Sequence, residues 1–269
     1  MPNLTATIMD ATSGIGQAIA KVLGQNGVNL VLVGQNQQIL QRVHDNIAQC
    51  YPQLELDLIH CNFADQQSRE ELVKALATLN KPIHYYINNI SISDFKLFTQ
   101  QPQEILEQMM LINAVYPMQL IQKILPLISI SPPGQVINVG STFGSIGYPG
   151  YASYCASQFA LRGATEALAR EYSKSSIRFR YFSLRVTETN IHHSNAIEMN
   201  IRLGKNIDSP EFVAEELYWF LHRDCQSYQV GYPEKISIAV NQILPDLISA
   251  SINRELPTIC ECAEKVASF

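Results

Sequence analysis

Three polar side chains in one short stretch of the 269-residue chain have the types and spacing needed to act on a carbonyl or hydroxyl group. Ser141 carries a hydroxyl, Tyr154 carries a phenol thirteen residues later, and Gln158 carries an amide one helical turn beyond the phenol. Residues four apart on a helix share a face, so Tyr154 and Gln158 should point into the same space. A serine that faces this tyrosine would hold a ligand oxygen between two hydroxyls.

The surrounding residues predict the elements that would position these groups. Residues 136–139 are mostly apolar and β-branched, which indicates a buried strand ending just before Ser141. Strand-like and helical runs alternate along the chain, and this favours one doubly wound parallel sheet with helices on both faces. We therefore predict a single α/β domain spanning 1–269 with a seven-stranded parallel sheet. The predicted strands are 4–9, 29–33, 54–60, 83–87, 136–139, 177–183 and 228–231, and the predicted helices include 17–25, 68–79, 102–125 and 210–223.

A second segment with chemical potential follows the first predicted strand. It reads DATSGIG from Asp10 to Gly16 and opens a helix that should begin at Gly14. A strand, a glycine-bearing turn and a helix N-terminus together form an anion cradle, because free backbone N–H groups and the helix dipole face a diphosphate. The candidate contacts for a dinucleotide are Asp10, Ser13, Gly14, Ile15 and Gly16.

These two segments resemble the short-chain dehydrogenase/reductase family. That family carries a serine, then Tyr-x-x-x-Lys thirteen residues on, and it carries Thr-Gly-x-x-x-Gly-x-Gly after its first strand. Ser141 and Tyr154 match the first pattern, and Gly14 and Gly16 match the second. The position of the lysine is occupied by Gln158.

The resemblance implies a fold, an activity and a set of site residues. It implies a Rossmann-type oxidoreductase in which Tyr154 transfers a proton, Ser141 orients the substrate oxygen, and Asn113 holds a water in the proton relay. The lysine would hold the cofactor ribose and lower the tyrosine pKa, a task for which Gln158 has no charge. The implied cofactor is NAD(P)(H). Its further contacts would be Gln35 beside the adenosine ribose, Asn62 near adenine, Asn89, and Thr189 near the nicotinamide. Gln35 is neither an acid nor an arginine, so NAD and NADP both remain open.

The departures from the family pattern coincide with the place where a dinucleotide would lie. Asp10 stands for a glycine, Ile90-Ser91 for Ala-Gly, and Leu184-Arg185 for Pro-Gly. Two hypotheses follow. The first is a homologue with a degraded nicotinamide site, weak or inactive as an oxidoreductase, that acts as a binding or regulatory protein. The alternative is an active NAD(P)(H)-dependent carbonyl reductase or alcohol dehydrogenase that uses Tyr154 and Ser141.

Arg185 admits three readings. It would pair with Asp10 or lie against Tyr154, so that the chain fills its own cofactor site. In the second reading, Arg185 supplies the cation that Gln158 lacks and keeps Tyr154 active. In the third reading, the side chains of both Arg185 and Asp10 turn to solvent.

Composition narrows the class of partner and the compartment. The net charge is −5 with no basic cluster, so no nucleic-acid partner is expected. The N-terminus shows no signal peptide and the six cysteines lack C-x-x-C spacing, which favours reduced thiols in the cytoplasm. His192 and His193 are read as part of a solvated loop, and no metal site is expected.

The C-terminal third should carry the variable parts. By resemblance, 190–208 is a variable substrate loop, and 233–269 is a helical extension beyond the minimal fold. The amphipathic segment 233–252 is read as a packed arm or subunit contact, with peripheral membrane contact as the less favoured alternative. Apolar faces on the helices near 102–125 and 151–171 favour a homodimer or homotetramer, and the small-molecule ligand is not readable.

Overall fold

The architecture is one doubly wound parallel sheet, as predicted. The computed structural model describes residues 4–188 and 194–264. Its seven strands are all parallel and lie in the order β3-β2-β1-β4-β5-β6-β7. The strands are β1 (Thr5–Met9), β2 (Asn29–Gly34), β3 (Leu56–His60), β4 (Tyr85–Asn88), β5 (Gly134–Ser141), β6 (Ile177–Leu184) and β7 (Ser227–Gln229). The strand order reverses between β1 and β4, so a crevice opens at the carboxyl ends of these strands, where open α/β sheets bind ligands.

Helices cover both faces of the sheet. They are α1 (Gly14–Gln25), α2 (Gln37–Cys50), α3 (Gln66–Leu79), α4 (Gln103–Met110), α5 (Tyr116–Ile124), α6 (Ala152–Glu171), α7 (Ser194–Arg202), α8 (Pro210–Leu221), α9 (Tyr232–Ile243) and α10 (Pro245–Glu264). One core layer packs α1, α2 and α8 on the sheet, and the other packs α3, α5 and α6. The central strands β1 and β2 are buried throughout, and their residues are mostly apolar, with Thr5 and Thr7 as the polar exceptions within β1.

Two predicted regions, 102–125 and 190–208, differ from the sequence-based prediction in their helices. The long helix predicted over 102–125 is divided into α4 and α5 by a π-helical turn, Leu111–Val115. The region predicted as a loop over 190–208 contains α7. The C-terminal extension is helical, as predicted, and it forms two helices that meet at Leu244. Among the described helices, none has both the length and the apolar character required to cross a membrane.

A buried arginine ties the far edge of the sheet together. Arg180 on β6 is 2% exposed and donates to the backbone oxygens of Arg223 and Cys225 at 2.8 and 2.7 Å. It also donates to Oε1 of Gln135 on β5 at 2.5 Å, and its guanidinium lies 3.7 Å from the centre of the Phe220 ring. These contacts satisfy carbonyl groups in the turn between α8 and β7, and burial lowers the pKa of Arg180.

We expect Arg180→Met to destabilise the protein by about 3 kcal/mol, because several buried carbonyl groups lose a charged donor at once. The matched control is Arg178→Met, two residues away on the same strand. The Arg178 side chain is 53% exposed and pairs only with Asp224, so its loss should cost under about 1 kcal/mol. Urea unfolding of both variants measures the difference. Equal losses would show that the Arg180 contacts contribute nothing particular.

Candidate active site

The N-terminal turn forms a rigid cradle at the start of α1. The helix begins at Gly14, as predicted, and the Ser13 hydroxyl caps it by accepting from the Gly16 amide at 3.1 Å. Asn89, after β4, donates to the Ser13 hydroxyl at 2.9 Å and so joins two strand ends. A Cβ at Gly16 would lie 2.1 Å from the Asp10 carbonyl oxygen, so only glycine permits this close turn. The helix has no internal partner for the first-turn amides of Gly14 and Ile15, which remain suited to an anion.

Asp10 adopts the backbone conformation of the glycine that it replaces in the family pattern. Its φ angle is 57°, in the left-handed region where aspartate is one of the few tolerated residues. Its carboxylate accepts from the Thr12 hydroxyl at 2.9 Å, and burial raises its pKa despite hydrogen bonds from Thr12 and Ser13 that lower it. The turn is therefore preserved, and it now carries a carboxyl group.

Ser141 and Tyr154 are brought together as expected. Ser141 is the last residue of β5, and Tyr154 lies in the first turn of α6. Burial raises the pKa of the Tyr154 phenol, and this effect is larger than the lowering effect of the nearby Ser91 and Ser141 hydroxyls. At neutral pH the phenol is thus a proton donor.

Gln158 follows Tyr154 by one turn but does not line the cavity into which Tyr154 faces. Its side chain is 1% exposed, and its amide oxygen is buried without a hydrogen-bond partner. A buried carbonyl oxygen without a hydrogen-bond partner destabilises the folded state. The residue at position 158 therefore does not maximise stability. Tyr154 lines the cavity and Gln158 does not. The two side chains therefore do not point into the same space, contrary to the prediction.

Asn113 lies in the π-helical turn and links three elements. Its amide oxygen accepts from the Ile92 amide at 2.8 Å, and its Nδ2 donates to the Ile92 carbonyl at 2.8 Å and to the Ser157 hydroxyl at 3.0 Å. The Ser157 hydroxyl in turn donates to the Tyr154 carbonyl at 2.8 Å. Asn113 thus holds the segment after β4 against the helix that carries the tyrosine.

The Ser141 and Tyr154 hydroxyls open into a cavity of about 260 Å³. Near the sheet it is bounded by Ser13, Ile15 and Asn89, and on one side by a wall of aromatic rings. Its outer part is formed by the segment around α7 and by α10. The aromatic wall consists of Phe143, Tyr148, Tyr151 and Tyr154, and the outer residues include Met199, Asn200, Lys205, Ile248, Ser251, Ile252 and Glu255.

The candidate adenosine contacts lie outside this cavity. Gln35 is exposed, and its carbonyl oxygen lies 2.9 Å from a ring nitrogen of His60. Asn62 is also exposed, and its amide oxygen accepts from the Ala64 amide at 3.2 Å. Thr189, like His192 and His193, falls outside the described residues.

Ile90, which stands for the alanine of the family pattern, does not line the cavity. Its side chain is 3% exposed and packs into the core layer on the α5 side of the sheet. Only its neighbour Ser91 lines the cavity, where it faces the Tyr154 phenol. The bulk of the Ile90-Ser91 pair is therefore absorbed by the core.

Arg185 pairs with two carboxylates that the sequence analysis missed. Its guanidinium makes a bidentate contact with Asp208, with distances of 2.7 Å from Nε and 2.6 Å from Nη2, and Nη1 lies 3.4 Å from Glu234. The expected contact with Asp10 is wrong, and so is the reading in which the Arg185 side chain turns to solvent, because it is only 15% exposed. From the sequence, only the general rule that a buried cation is paired indicated that Arg185 would have carboxylate partners. It could not select Asp208 among the acidic residues of a loop.

The site has a second ion pair, at the outer end of the cavity. Glu255 of α10 accepts from the Tyr148 phenol at 2.7 Å and pairs with the Lys205 ammonium at 2.5 Å. Sequence analysis did not single out these three residues, since more than 50 positions separate Glu255 from Tyr148 and no motif connects them. The contacts of Glu255 with Tyr148 and Lys205 hold α10 at the outer opening of the cavity.

The fold agrees with comparisons to known proteins. Residues 4–200 match the family model of the short chain dehydrogenases, and the chain belongs to this family. It is 24% identical over 237 residues to a 3alpha-hydroxysteroid dehydrogenase of Mediterraneibacter gnavus, covering 86% of this chain and 94% of the relative. It is 28% identical over 233 residues to the 3-oxoacyl-(acyl-carrier-protein) reductase FabG of Rickettsia conorii, covering 84% and 92%.

A solved structure shows the same fold. A short chain dehydrogenase/reductase from Burkholderia phymatum, determined in complex with NAD, superposes with a TM-score of 0.79. The superposition covers 91% of this chain and 95% of that protein at 16% identity. The predicted family resemblance is therefore confirmed at the level of sequence and of fold.

We expect Asp10→Asn to stabilise the protein increasingly as the pH rises from about 4 towards neutral, because the pKa of Asp10 is raised in the folded state. The folded-state pKa of Asp10 lies above its ordinary value of 3.8, so the folded state binds the proton more tightly and loses stability as the group ionises. Asparagine tolerates the same backbone conformation and does not ionise. The melting temperatures of both proteins across this range measure the effect. Asp224→Asn, at a side chain that is 95% exposed, is the control and should show no such trend.

We expect Gly231→Ala to destabilise the protein by about 1–3 kcal/mol. Gly231 has a φ angle of 91°, and a Cβ there would lie 2.3 Å from Glu234 Oε2 and 3.0 Å from Arg185 Nη1. The control is Gly147→Ala, where a Cβ would meet no atom within 4 Å. Denaturant unfolding compares them, and similar midpoints would refute the close packing described for the Arg185 cluster.

Proposed function

We propose that this protein is a short-chain dehydrogenase homologue that binds a small molecule in the Ser141–Tyr154 cavity with little or no redox turnover. The single observation that carries the proposal is the setting of Tyr154. Burial raises the pKa of this phenol, and the cations at the cavity, Arg185 and Lys205, are engaged by carboxylates. Gln158, which stands at the lysine position of the family pattern, is neutral.

The loss of that charge has a large expected effect. One positive charge at ~4 Å contributes up to roughly 4 kcal/mol at an effective dielectric of 20, which corresponds to a few pKa units for a phenol. Without it, Tyr154 is a poor base at neutral pH. Oxidation of an alcohol should therefore suffer more than reduction of a carbonyl, in which Tyr154 acts as an acid.

The chain keeps part of a nicotinamide dinucleotide site. The amides of Gly14 and Ile15 at the start of α1 suit a diphosphate, and Asn89 and Ser13 lie beside the cavity. When bound, the cofactor would supply or accept hydride, while Ser141 and Tyr154 would hold the substrate oxygen and the proton. The Asp10 carboxyl opposes a diphosphate, although its raised pKa reduces that repulsion. These features support weak cofactor affinity, and they do not favour NAD over NADP.

The alternative function is that of an active carbonyl reductase. It is favoured by the intact pairing of the Ser141 and Tyr154 side chains and by the phenol's readiness to donate a proton. The named relatives are a dehydrogenase and a reductase, which supports the same direction.

Calorimetric titration of the purified protein with NAD, NADH, NADP and NADPH tests the proposal. We expect no binding up to millimolar nucleotide, or at most weak binding without turnover of model ketones. Micromolar affinity together with ketone reduction would refute the proposal and establish the reductase.

The variant Gln158→Lys tests the effect of a positive charge at position 158 on the Tyr154 phenol, separately from the effect of side-chain size. If a nucleotide reaches the site, the lysine should lower the Tyr154 pKa and raise the rate of ketone reduction. Gln158→Met is the matched control, since it fills similar space without charge and removes a carbonyl that lacks a partner. A wild type faster than Gln158→Lys would contradict the role given to this position.

A further inference from the structure

Each charged side chain in the described lining of the cavity is already paired with an opposite charge. Among the described residues they are two cations, Arg185 and Lys205, and two anions, Glu234 and Glu255. Arg185 is held by Asp208 and Glu234, and Lys205 by Glu255. The remaining polar groups on the wall are hydroxyls and amides, including those of Ser91, Ser93, Ser141, Thr187, Asn200 and Asn206.

The Arg185 cluster cannot easily exchange a partner for a ligand. The Asp208 side chain is 7% exposed and contacts the guanidinium through both carboxylate oxygens. Gly231 leaves room for Glu234 at the third nitrogen, where a Cβ would collide with it. Fork-like pairs of this kind are preorganised and strong, so a ligand anion would have to displace a buried carboxylate.

The outer pair is similarly closed. Glu255 uses one oxygen for Lys205 and the other for the Tyr148 phenol. The Glu255 side chain is 22% exposed and the Lys205 side chain 37%, so Glu255 is the more buried member of a pair that water still reaches. A charged ligand group placed between them would be attracted by one and repelled by the other at close range.

We propose that the outer part of this cavity, from Ser141 to the Glu255–Lys205 pair, selects an uncharged ligand over an anionic one: a molecule with an apolar body against the aromatic wall, an oxygen at Ser141 and Tyr154, and a neutral polar group at Tyr148 and Glu255. The inference rests on the proposed function, whose binding site it specifies further. A buried charge without a partner is costly, and among the described side chains on the outer wall of the cavity each charged group already has a partner. The aromatic wall offers stacked rings, with the centroids of Phe143 and Tyr148 5.0 Å apart.

The selecting groups lie largely outside the part of the chain that matches the family model. That match ends at residue 200, whereas Lys205, Asp208, Glu234 and Glu255 all follow it. The C-terminal helices thus add to a shared fold the side chains that determine ligand charge in this protein.

Two fluorescent probes with one skeleton test the inference. N-phenyl-1-naphthylamine is neutral, and 8-anilinonaphthalene-1-sulfonate adds one sulfonate. We expect the wild type to bind the neutral probe at least about tenfold more tightly than the anionic one, a difference of about 1.4 kcal/mol. Comparable affinities, or no binding of the neutral probe, would overturn the inference.

Removing the negative charge of Glu255 should remove the preference for the neutral probe. Glu255→Gln retains an acceptor for Tyr148 but leaves Lys205 unpaired, so affinity for the sulfonate should rise about tenfold while that for the neutral probe stays within about threefold. Lys205→Met should give no gain for the sulfonate. Glu264→Gln, at an exposed position of the same helix, is the charge-matched control and should change neither affinity. An unchanged probe ratio in Glu255→Gln would refute the role of this pair.

Ile252→Trp locates the bound probe. Ile252 lines the cavity, so a larger ring there should abolish binding of the neutral probe. Binding that persists would place the probe elsewhere, for example on the exposed side chains of Ile243, Leu244 and Leu247, and would refute the inference. Tight nucleotide binding with turnover would end the proposed function but leave the probe ratio intact. Equal probe affinities would end only this inference.

Discussion

The ion cluster of Arg185 with Asp208 and Glu234 determines how the C-terminal third sits on the sheet. Arg185 directly follows the end of β6, Asp208 lies before α8, and Glu234 is in the first turn of α9. The backbone supports the same contact, because the Asp208 amide donates to the Val186 carbonyl at 2.9 Å and the Glu188 amide donates to the Asp208 carbonyl at 2.9 Å. With this cluster in place, α7 and α10 close the outer side of the cavity. The cluster costs desolvation, which is offset by its bidentate geometry.

Hydrogen bonds between uncharged groups position the residues on the side of the cavity that lies near the sheet. Asn89 joins the end of β4 to the Ser13 cap of α1, and Asn113 joins the segment after β4 to α6. These contacts hold the N-terminal cradle and the Tyr154 phenol in a fixed relation. Gln158 takes part in none of these contacts, so they do not depend on which residue stands at that position.

The two sides together describe a site whose shape is retained and whose electrostatics have changed. In the mechanism that the family resemblance implies, a cation stands beside the tyrosine. Here both cations at the cavity are bound to carboxylates, and the phenol has a raised pKa. We regard ligand binding in a neutral, aromatic-walled cavity as the function that fits both facts. The C-terminal helices are the part of the molecule that adapts the fold to it.

The sequence alone determined the sheet, its parallel order and the meeting of Ser141 with Tyr154, because these follow from local patterns. Buried strands are indicated by apolar runs, and a glycine-containing turn indicates a helix N-terminus. The spacing of the serine and the tyrosine is determined within one strand–helix unit. The partners of Arg185, the clasp of Glu255 with Lys205 and Tyr148, and the burial of Ile90 and Gln158 were decided only by the tertiary structure. Each depends on which distant segments pack together, and a charged side chain pairs with whichever opposite charge the fold brings within about 4 Å. Local patterns carry no information on that distance.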